Sequence, residues 1–344
     1  MTDEAAALRT AAAQWPRRLL DSNLGRLALI TVLVFVGMSA AEPHLFLAQA
    51  NLSSMAFQFP EFAILGLAVM VSMLTGGIDL SVIGLANLSS MLAVMVMRGL
   101  APDPHTAHPS VAIALGVAAL LGVGALGGLF NGLAIAAIGI PPILATLGTG
   151  LIYTGVAVVL SGGAAVLGFP DAMSGLGNGA LFGMPAPVLL FALLAAAVAF
   201  LLNWTSFGLR VYLFGTNPLA ARFAGIDNFR MTLGAYLISG LLSALAGLVI
   251  AARANSAKAD YGQSYLLLSI LIAVLGGIDP YGGFGKVSGL VLAVLSLQFL
   301  SSGLNLLQVS NFAVDMTWGA LLLLVMVVNT GRLRRLVAAL PQKR

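Results

Sequence analysis

Residues 111–138 read VAIALGVAALLGVGALGGLFNGLAIAAI, twenty-eight positions without a charged side chain. As a helix they would rise about 42 Å at ~1.5 Å per residue, more than the roughly 30 Å hydrocarbon core of a bilayer. A helix apolar around its whole circumference has no face for water. In hydrocarbon, each backbone N–H and C=O must pair within its own segment, so the stretch predicts a membrane-spanning helix.

The rest of the chain repeats this reading. Of 344 residues, 60% are hydrophobic and 8% charged, with a mean hydropathy of +1.02. A soluble domain carries about 25% charged residues. Working outward gives about ten spans, near 27–41, 52–75, 81–98, 111–138, 143–160, 186–203, 231–252, 264–278, 287–304 and 312–329. The expected fold class is all-α: a polytopic membrane protein of about ten transmembrane helices.

The sixteen basic residues set the orientation. With the N-terminus inside, thirteen fall on the inner side, and Arg98, Arg253 and Lys258 fall outside. Such an excess marks the cytosolic face. An odd span count would separate the two basic ends, so both termini are expected in the cytosol. The net charge of +4 then reports orientation and not a nucleic-acid partner.

The chain divides into a cytosolic segment 1–26, a transmembrane domain 27–329 and a cytosolic tail 330–344. Asp3, Glu4 and three arginines before Leu19 make residues 1–26 too polar for a signal-peptide core. Leu8, Trp15 and Leu19 suit a short helix on the inner membrane surface, with simple disorder as the alternative. The absence of cysteine excludes disulfides, thiolate metal sites and cysteine nucleophiles.

Two connections are long. Residues 161–184 hold seven glycines and one charge, Asp171, and are expected outside, apolar enough to fold back on the bundle. Residues 204–230 lie inside with Arg210, Arg222, Asp227 and Arg230, the natural place for an internal partner. Gly76-Gly77-Ile78-Asp79 recurs as Gly276-Gly277-Ile278-Asp279, an internal repeat of the kind transporters carry or a coincidence among 40 glycines.

No catalytic constellation is visible. His44, His105 and His108 sit in or beside external connections. Gly282-Gly283-Phe284-Gly285-Lys286 imitates a phosphate-binding loop, but the required first glycine is Pro280 and the hydroxyl position is Val287. Charges in or beside spans are costly in lipid and draw attention to Glu61, Asp79 and Asp315. Each has a polar-pathway or proton-relay reading. The alternatives are capping of the third span for Asp79 and support of the Pro60 distortion for Glu61. Asn87, Ser89, Ser90, Asn131, Thr146, Thr149, Tyr153, Gln298 and Asn305 are uncharged and suit either a path for a neutral solute or interhelical hydrogen bonding. Thr146, Thr149 and Tyr153 share one helix face. Gly122, Gly124, Gly127, Gly128 and Gly132 allow close helix packing.

Several blocks together resemble the permease subunits of sugar-importing ABC transporters, the ribose, xylose, galactoside and autoinducer-2 group. They are Leu74-Thr75-Gly76-Gly77-Ile78-Asp79-Leu80-Ser81-Val82; Phe130-Asn131-Gly132-Leu133 with Ile140-Pro141-Pro142-Ile143-Leu144-Ala145-Thr146-Leu147-Gly148-Thr149; Thr205-Ser206-Phe207-Gly208 with 215–226; and Ser239-Gly240 through Gly247-Leu248, then Val274-Leu275-Gly276-Gly277. The matches run from about residue 60 to 329. The resemblance implies a transport subunit of the bacterial inner membrane that is not itself an enzyme. It has no cofactor of its own; ATP and Mg are bound by a partner ATPase. The other implied partners are a periplasmic sugar-binding protein, a second permease chain, identical or related, and the lipid bilayer.

It further implies that part of 204–230 forms a helix docking on the ATPase. There Asn217-Pro218 would start it, Ala220 and Ala221 would allow close approach, Arg222 would reach acidic groups, and Gly225 would end it. The expected pathway residues are Glu61, Asp79, Asn87, Asn131, Thr146, Thr149 and Tyr153. The family's Gly-Tyr-Glu-Leu-Asp-Ala-Ile block reads Ser264-Tyr265-Leu266-Leu267-Leu268-Ser269-Ile270 here, without its acids. The substrate expected is a sugar or neutral polyol. A branched-chain amino-acid ABC permease and an ion-coupled secondary transporter are the alternatives.

Overall fold

A computed structural model describes residues 23–103 and 109–329. The readings of 1–22, of the tail 330–344 and of His105 and His108 lie outside the described residues.

Among the described residues, eight helices are long and apolar enough to cross a membrane. They are α1 (Asn23–Ala41), α3 (Gln49–Met73), α4 (Val82–Leu100), α5 (Ser110–Ala136), α6 (Pro142–Ser161), α8 (Ala186–Trp204), α11 (Asn228–Ala254) and α13 (Val287–Leu306). Two apolar helices account for the remaining expected spans, α12 (Tyr265–Leu275) and α14 (Asn311–Asn329). Between these lie the short helices α2 (Pro43–Phe46), α7 (Asp171–Asn178), α9 (Ser206–Thr216) and α10 (Pro218–Phe223). The described residues also hold four two-residue strands: β1 (Val166–Leu167), β2 (Ala180–Leu181), β3 (Met184–Pro185) and β4 (Ser256–Ala257).

The span expected at 264–278 is shorter than read. Its helix has 11 residues, about 16 Å at ~1.5 Å per residue, too little to cross by itself. Gly277, at φ +83°, turns the chain out of the helix, and Ile278 N bonds back to Ala273 O at 3.1 Å, a glycine-terminated helix end.

The centre of the bundle is α11, packed against α5, α3 and α4. From Pro60 to Leu74, α3 and its cap are buried without a break. The outer helices α1, α5, α6 and α8 present Leu33, Leu126, Leu151 and Leu193 outward, as lipid-facing sides must. Glycines let α5 cross α11 with backbones in contact. A Cβ on Gly128 would strike Tyr236 O, and one on Gly240 would strike Gly124 O. A Cβ on Gly122 meets nothing within 4 Å.

The connection 161–184 does fold back on the bundle. Its β1 pairs antiparallel with β4 after α11, Val166 opposite Ala257. Phe169 and Met173 are buried, and α7 packs on α11.

The α5–α11 crossing gives a direct test. Gly240→Leu should lower the thermal unfolding temperature of the purified protein, overpacking costing about 1–3 kcal/mol or more. Gly122→Leu should leave it unchanged. Fluorescence-detected size exclusion after heating reads both.

Candidate functional site

The turn between α3 and α4 runs inward and is held by its own carboxylate. Asp79 is fully buried. Its Oδ1 accepts from Ser81 N at 2.9 Å and from the Ser81 hydroxyl at 2.6 Å. Its Oδ2 accepts from the Ser239 hydroxyl of α11 at 2.8 Å. Asn131 of α5 donates its amide to Ser81 Oγ at 2.7 Å. Tyr153 of α6 donates to Gly127 O at 3.0 Å and lies 3.4 Å from Asn131 Oδ1. Thr146 Oγ1 accepts from Leu80 N at 3.0 Å and donates within reach of Pro142 O at 2.8 Å and Ile78 O at 3.0 Å. Thr149 donates to Thr146 O at 3.2 Å.

Five of the expected pathway residues, Asp79, Asn131, Thr146, Thr149 and Tyr153, therefore meet in one buried network that joins the turn to α5, α6 and α11. Capping of α4 by Asp79 is indirect. The N-cap is Ser81, without a side-chain cap bond, and Asp79 grips that residue's N–H from two positions upstream. Tyr236 lies against the same turn. A Cβ on Gly77 would come within 2.5 Å of its hydroxyl, which has no hydrogen-bond partner among the described residues.

Glu61 and Asn87 lie outside this network, each with partners of its own. Glu61 Oε1 meets Arg253 NH1 at 2.7 Å and Oε2 accepts from Tyr265 OH at 2.9 Å. Asn87 donates to Ala259 O at 3.0 Å and Tyr261 O at 2.9 Å, tying the loop after α11 onto α4. Arg253 and Tyr265 escaped the sequence reading because their partner is distant in sequence. Asp315 is exposed on α14.

The connection 204–230 forms two helices. Asn217 Oδ1 accepts from Leu219 N at 3.1 Å and Ala220 N at 3.0 Å, capping α10, and Pro218 occupies its first turn. Gly225, at φ +79°, ends it, with Ile226 N on Ala221 O at 3.0 Å. Ala221 is buried against the bundle, while Ala220 and Arg222 are exposed. Leu219 and Phe223 of α10 are 65% and 85% exposed. Their i, i+4 spacing puts both on one face, an apolar surface of the kind a partner groove receives. The sequence reading passed over both.

The base of this helix pair sits on two turns. Tyr212 of α9 donates to Gly285 O at 2.8 Å. Gly283 N donates to Leu74 O at 3.0 Å. A Cβ on Gly215 would strike both Leu74 O and Gly283 N, and one on Gly282 would lie 2.7 Å from Gly76 N and 2.9 Å from Gly215 O. The loop that imitates a phosphate site is thus a packing surface for three backbones. The repeated Gly-Gly-Ile-Asp turns meet here. Each aspartate accepts from the N–H two residues on, Asp79 from Ser81 and Asp279 from Tyr281, both at 2.9 Å. Their glycines differ: the left-handed one is Gly76 in the first turn and Gly277 in the second. Among the described residues no group of three or more His, Cys, Asp or Glu side chains could hold a metal.

Residues 51–328 match the family described as branched-chain amino acid transport system / permease component. Similar proteins include the autoinducer 2 import system permease protein LsrD of Enterobacter sp. (strain 638), 32% identical over 321 residues, covering 90% of this chain and 93% of that one. The protein of the same name from Klebsiella pneumoniae subsp. pneumoniae is 32% identical over 327 residues, 92% of each chain. That of Photorhabdus luminescens is 34% identical over 273 residues, 77% of this chain and 78% of the relative. No solved structure matches.

Replacing Asp79 by alanine removes the acceptor for Ser81 and Ser239 and leaves buried donors unpaired, at about 1–3 kcal/mol for each. Asp79→Ala should give a markedly lower unfolding temperature than Asp79→Asn, which keeps one carbonyl acceptor. Thermal unfolding of both purified variants checks the order.

Proposed function

The chain belongs to the permease-component family of ABC importers that its residues 51–328 match, and from that premise we propose that it carries a sugar-like neutral solute inward. It is a multi-pass subunit of the bacterial inner membrane and performs transport, not covalent chemistry. The observation that carries the substrate reading is identity of 32% over nine-tenths of the chain to autoinducer 2 import permeases, whose solute is a sugar-like signal. Family membership sets aside the ion-coupled alternative. The polar interior favours a sugar over an amino acid. The Asp79 network surrounds its carboxylate with hydroxyls and an amide, and the Glu61–Arg253 pair neutralises itself, so neither group presents the separate counter-charges that a zwitterion requires.

In this reading both termini and 204–230 face the cytosol. The helix α10 docks on an ATPase subunit that binds ATP and Mg. Leu219 and Phe223 supply the apolar contact, and Arg222 reaches acidic groups beside it. A periplasmic binding protein delivers the solute outside, and a second permease chain completes the pathway. When the ATPases close, displacement of α10 passes through Tyr212 and Gly215 into the turns at 74–79 and 279–285. Those turns end α3 and begin α13, so the pathway walls move with the ATPase.

Uptake in proteoliposomes, with and without the ATPase and binding protein, tests the whole reading. ATP-dependent uptake of one sugar that requires both partners supports it; uptake by this chain alone, driven by a proton gradient, overturns it. The docking surface has its own test. Gly225→Pro, Arg222→Glu and Phe223→Asp should each reduce ATPase co-purification while membrane insertion persists; normal complex yield from all three would remove α10 from that role. Gly215→Ala should keep the complex but lower solute moved per ATP hydrolysed, read by measuring both fluxes in the same vesicles.

A further inference from the structure

The inner part of α3 is buried without interruption from Pro60 onward, but in its first eleven residues, Gln49 to Phe59, every position except Met55 is exposed or half-buried. That uncovered part carries Asn51, Ser54 and Gln58, and the run continues to Glu61. Spacings of three, four and three place all four on one face of the helix. From Asn51 to Glu61 the stripe descends about 15 Å at ~1.5 Å per residue, half of a bilayer core of roughly 30 Å. Gln58 donates to Ser54 Oγ at 2.8 Å at an exposed position. Asn51 is tied to its surroundings, donating to Phe46 O at 2.8 Å and accepting from the Ser302 hydroxyl at 2.9 Å.

The stripe ends on the Glu61–Arg253–Tyr265 cluster. The Arg253 side chain is still 24% exposed. Its NH1 is held by Glu61, but its buried Nε has no hydrogen-bond partner among the described residues. The Tyr265 ring stands edge-on to Phe62, centroids 5.9 Å apart. Amides, hydroxyls and an ion pair left partly open at this depth are costly against lipid; polar groups inside a membrane normally face the bundle or a water-filled cavity. The chemistry is that of a polyol site. Ser54 and Gln58 offer neutral donors and acceptors, and Arg253 offers an N–H whose charge is already balanced.

We propose that this face of α3 is the outer receiving site for the transported neutral polyhydroxy solute. Ser54 and Gln58 bond its hydroxyls, and Arg253, positioned by Glu61 and Tyr265, donates its remaining N–H at the floor. This rests on the sugar-import reading and on the outward orientation of Gln49. It adds Ser54, Gln58, Arg253 and Tyr265 to the residues that choose the solute.

A chain without cysteine allows a clean test. Single Ser54→Cys and Gln58→Cys variants are assembled with the ATPases in right-side-out vesicles and exposed to a membrane-impermeant maleimide from outside. Leu151→Cys is the lipid-facing control, since Leu151 is 70% exposed on the apolar helix α6. Both stripe variants should label far faster than the control, and binding protein loaded with the transported sugar should slow that labelling. Gln58→Ala should raise KM for ATP-driven uptake about tenfold, the factor one lost hydrogen bond brings. Labelling at the control rate, labelling indifferent to the sugar, or an unchanged KM overturns the site. If the unaltered complex still imports sugar on ATP, only this site has failed; if it does not, the import reading itself has failed.

Discussion

The fold depends on a carboxylate that water cannot reach. Asp79 sits at zero exposure, and a buried charge is tolerated only with its acceptor sites filled. Ser81 and Ser239 fill them with two hydroxyls and a backbone N–H. This requirement fixes the neighbourhood. Ser239 places α11, and Asn131 on Ser81 Oγ places α5. Tyr153 then places α6 against α5, and Thr146 ties it to the turn itself. Glycine does the rest, since a side chain at Gly77, Gly128 or Gly240 would hold these elements apart. The network is a junction of helices before it is anything else.

The same turn reaches the base of the α9–α10 pair. Leu74, at the head of the Asp79 turn, accepts from Gly283, and both touch Gly215 below α10. Backbone-to-backbone contact leaves no rotamer free to absorb a displacement, and packed interiors transmit strain for that reason. In the proposed mechanism these contacts are the route by which a push on α10 would reach the Asp79 turn. The two Gly-Gly-Ile-Asp turns share a local bond but not a glycine geometry. Their meeting at one junction gives their similarity a mechanical meaning that neither has alone.

Much of this was legible in the chain. Apolar runs located the spans because hydrocarbon demands them, while α10 was announced by the family resemblance, with Asn217, Pro218 and Gly225 supplying its local caps. Asp79, Asn131 and Thr146 were legible as polar residues in apolar runs, but not as partners of one another. Pairing across 50 to 160 residues, as in Asn131 with Ser81 and Ser239 with Asp79, leaves no periodic trace. Arg253 was counted as an external charge because nothing near it in sequence names Glu61. Leu219 and Phe223 were hidden for a different reason. In a chain that is 60% hydrophobic, two more apolar residues carry no signal until a helix is seen to expose them outside the bundle. The span at 264–278 read as short, but its ends were not legible, because hydropathy cannot separate a half-length helix from the apolar loop residues that flank it.

The two polar clusters divide the membrane between them, and the division suits a neutral cargo. At the α3–α4 turn the buried Asp79 carboxylate is sealed by hydroxyls and a backbone N–H; further back along α3, Glu61 is sealed by Arg253 and Tyr265. Neither presents a free charge to a passing ion, since Glu61 is paired with Arg253 and Asp79 is fully buried, yet both leave hydrogen-bonding groups at membrane depth. A barrier of that composition rejects ions through desolvation and opposes a polyol much less, because each hydroxyl stripped of water finds another partner. Selectivity of this kind needs no dedicated gate residue. It follows from satisfying Glu61 and Asp79 inside the bundle while leaving the amide and hydroxyl of Gln58 and Ser54 on α3 uncovered.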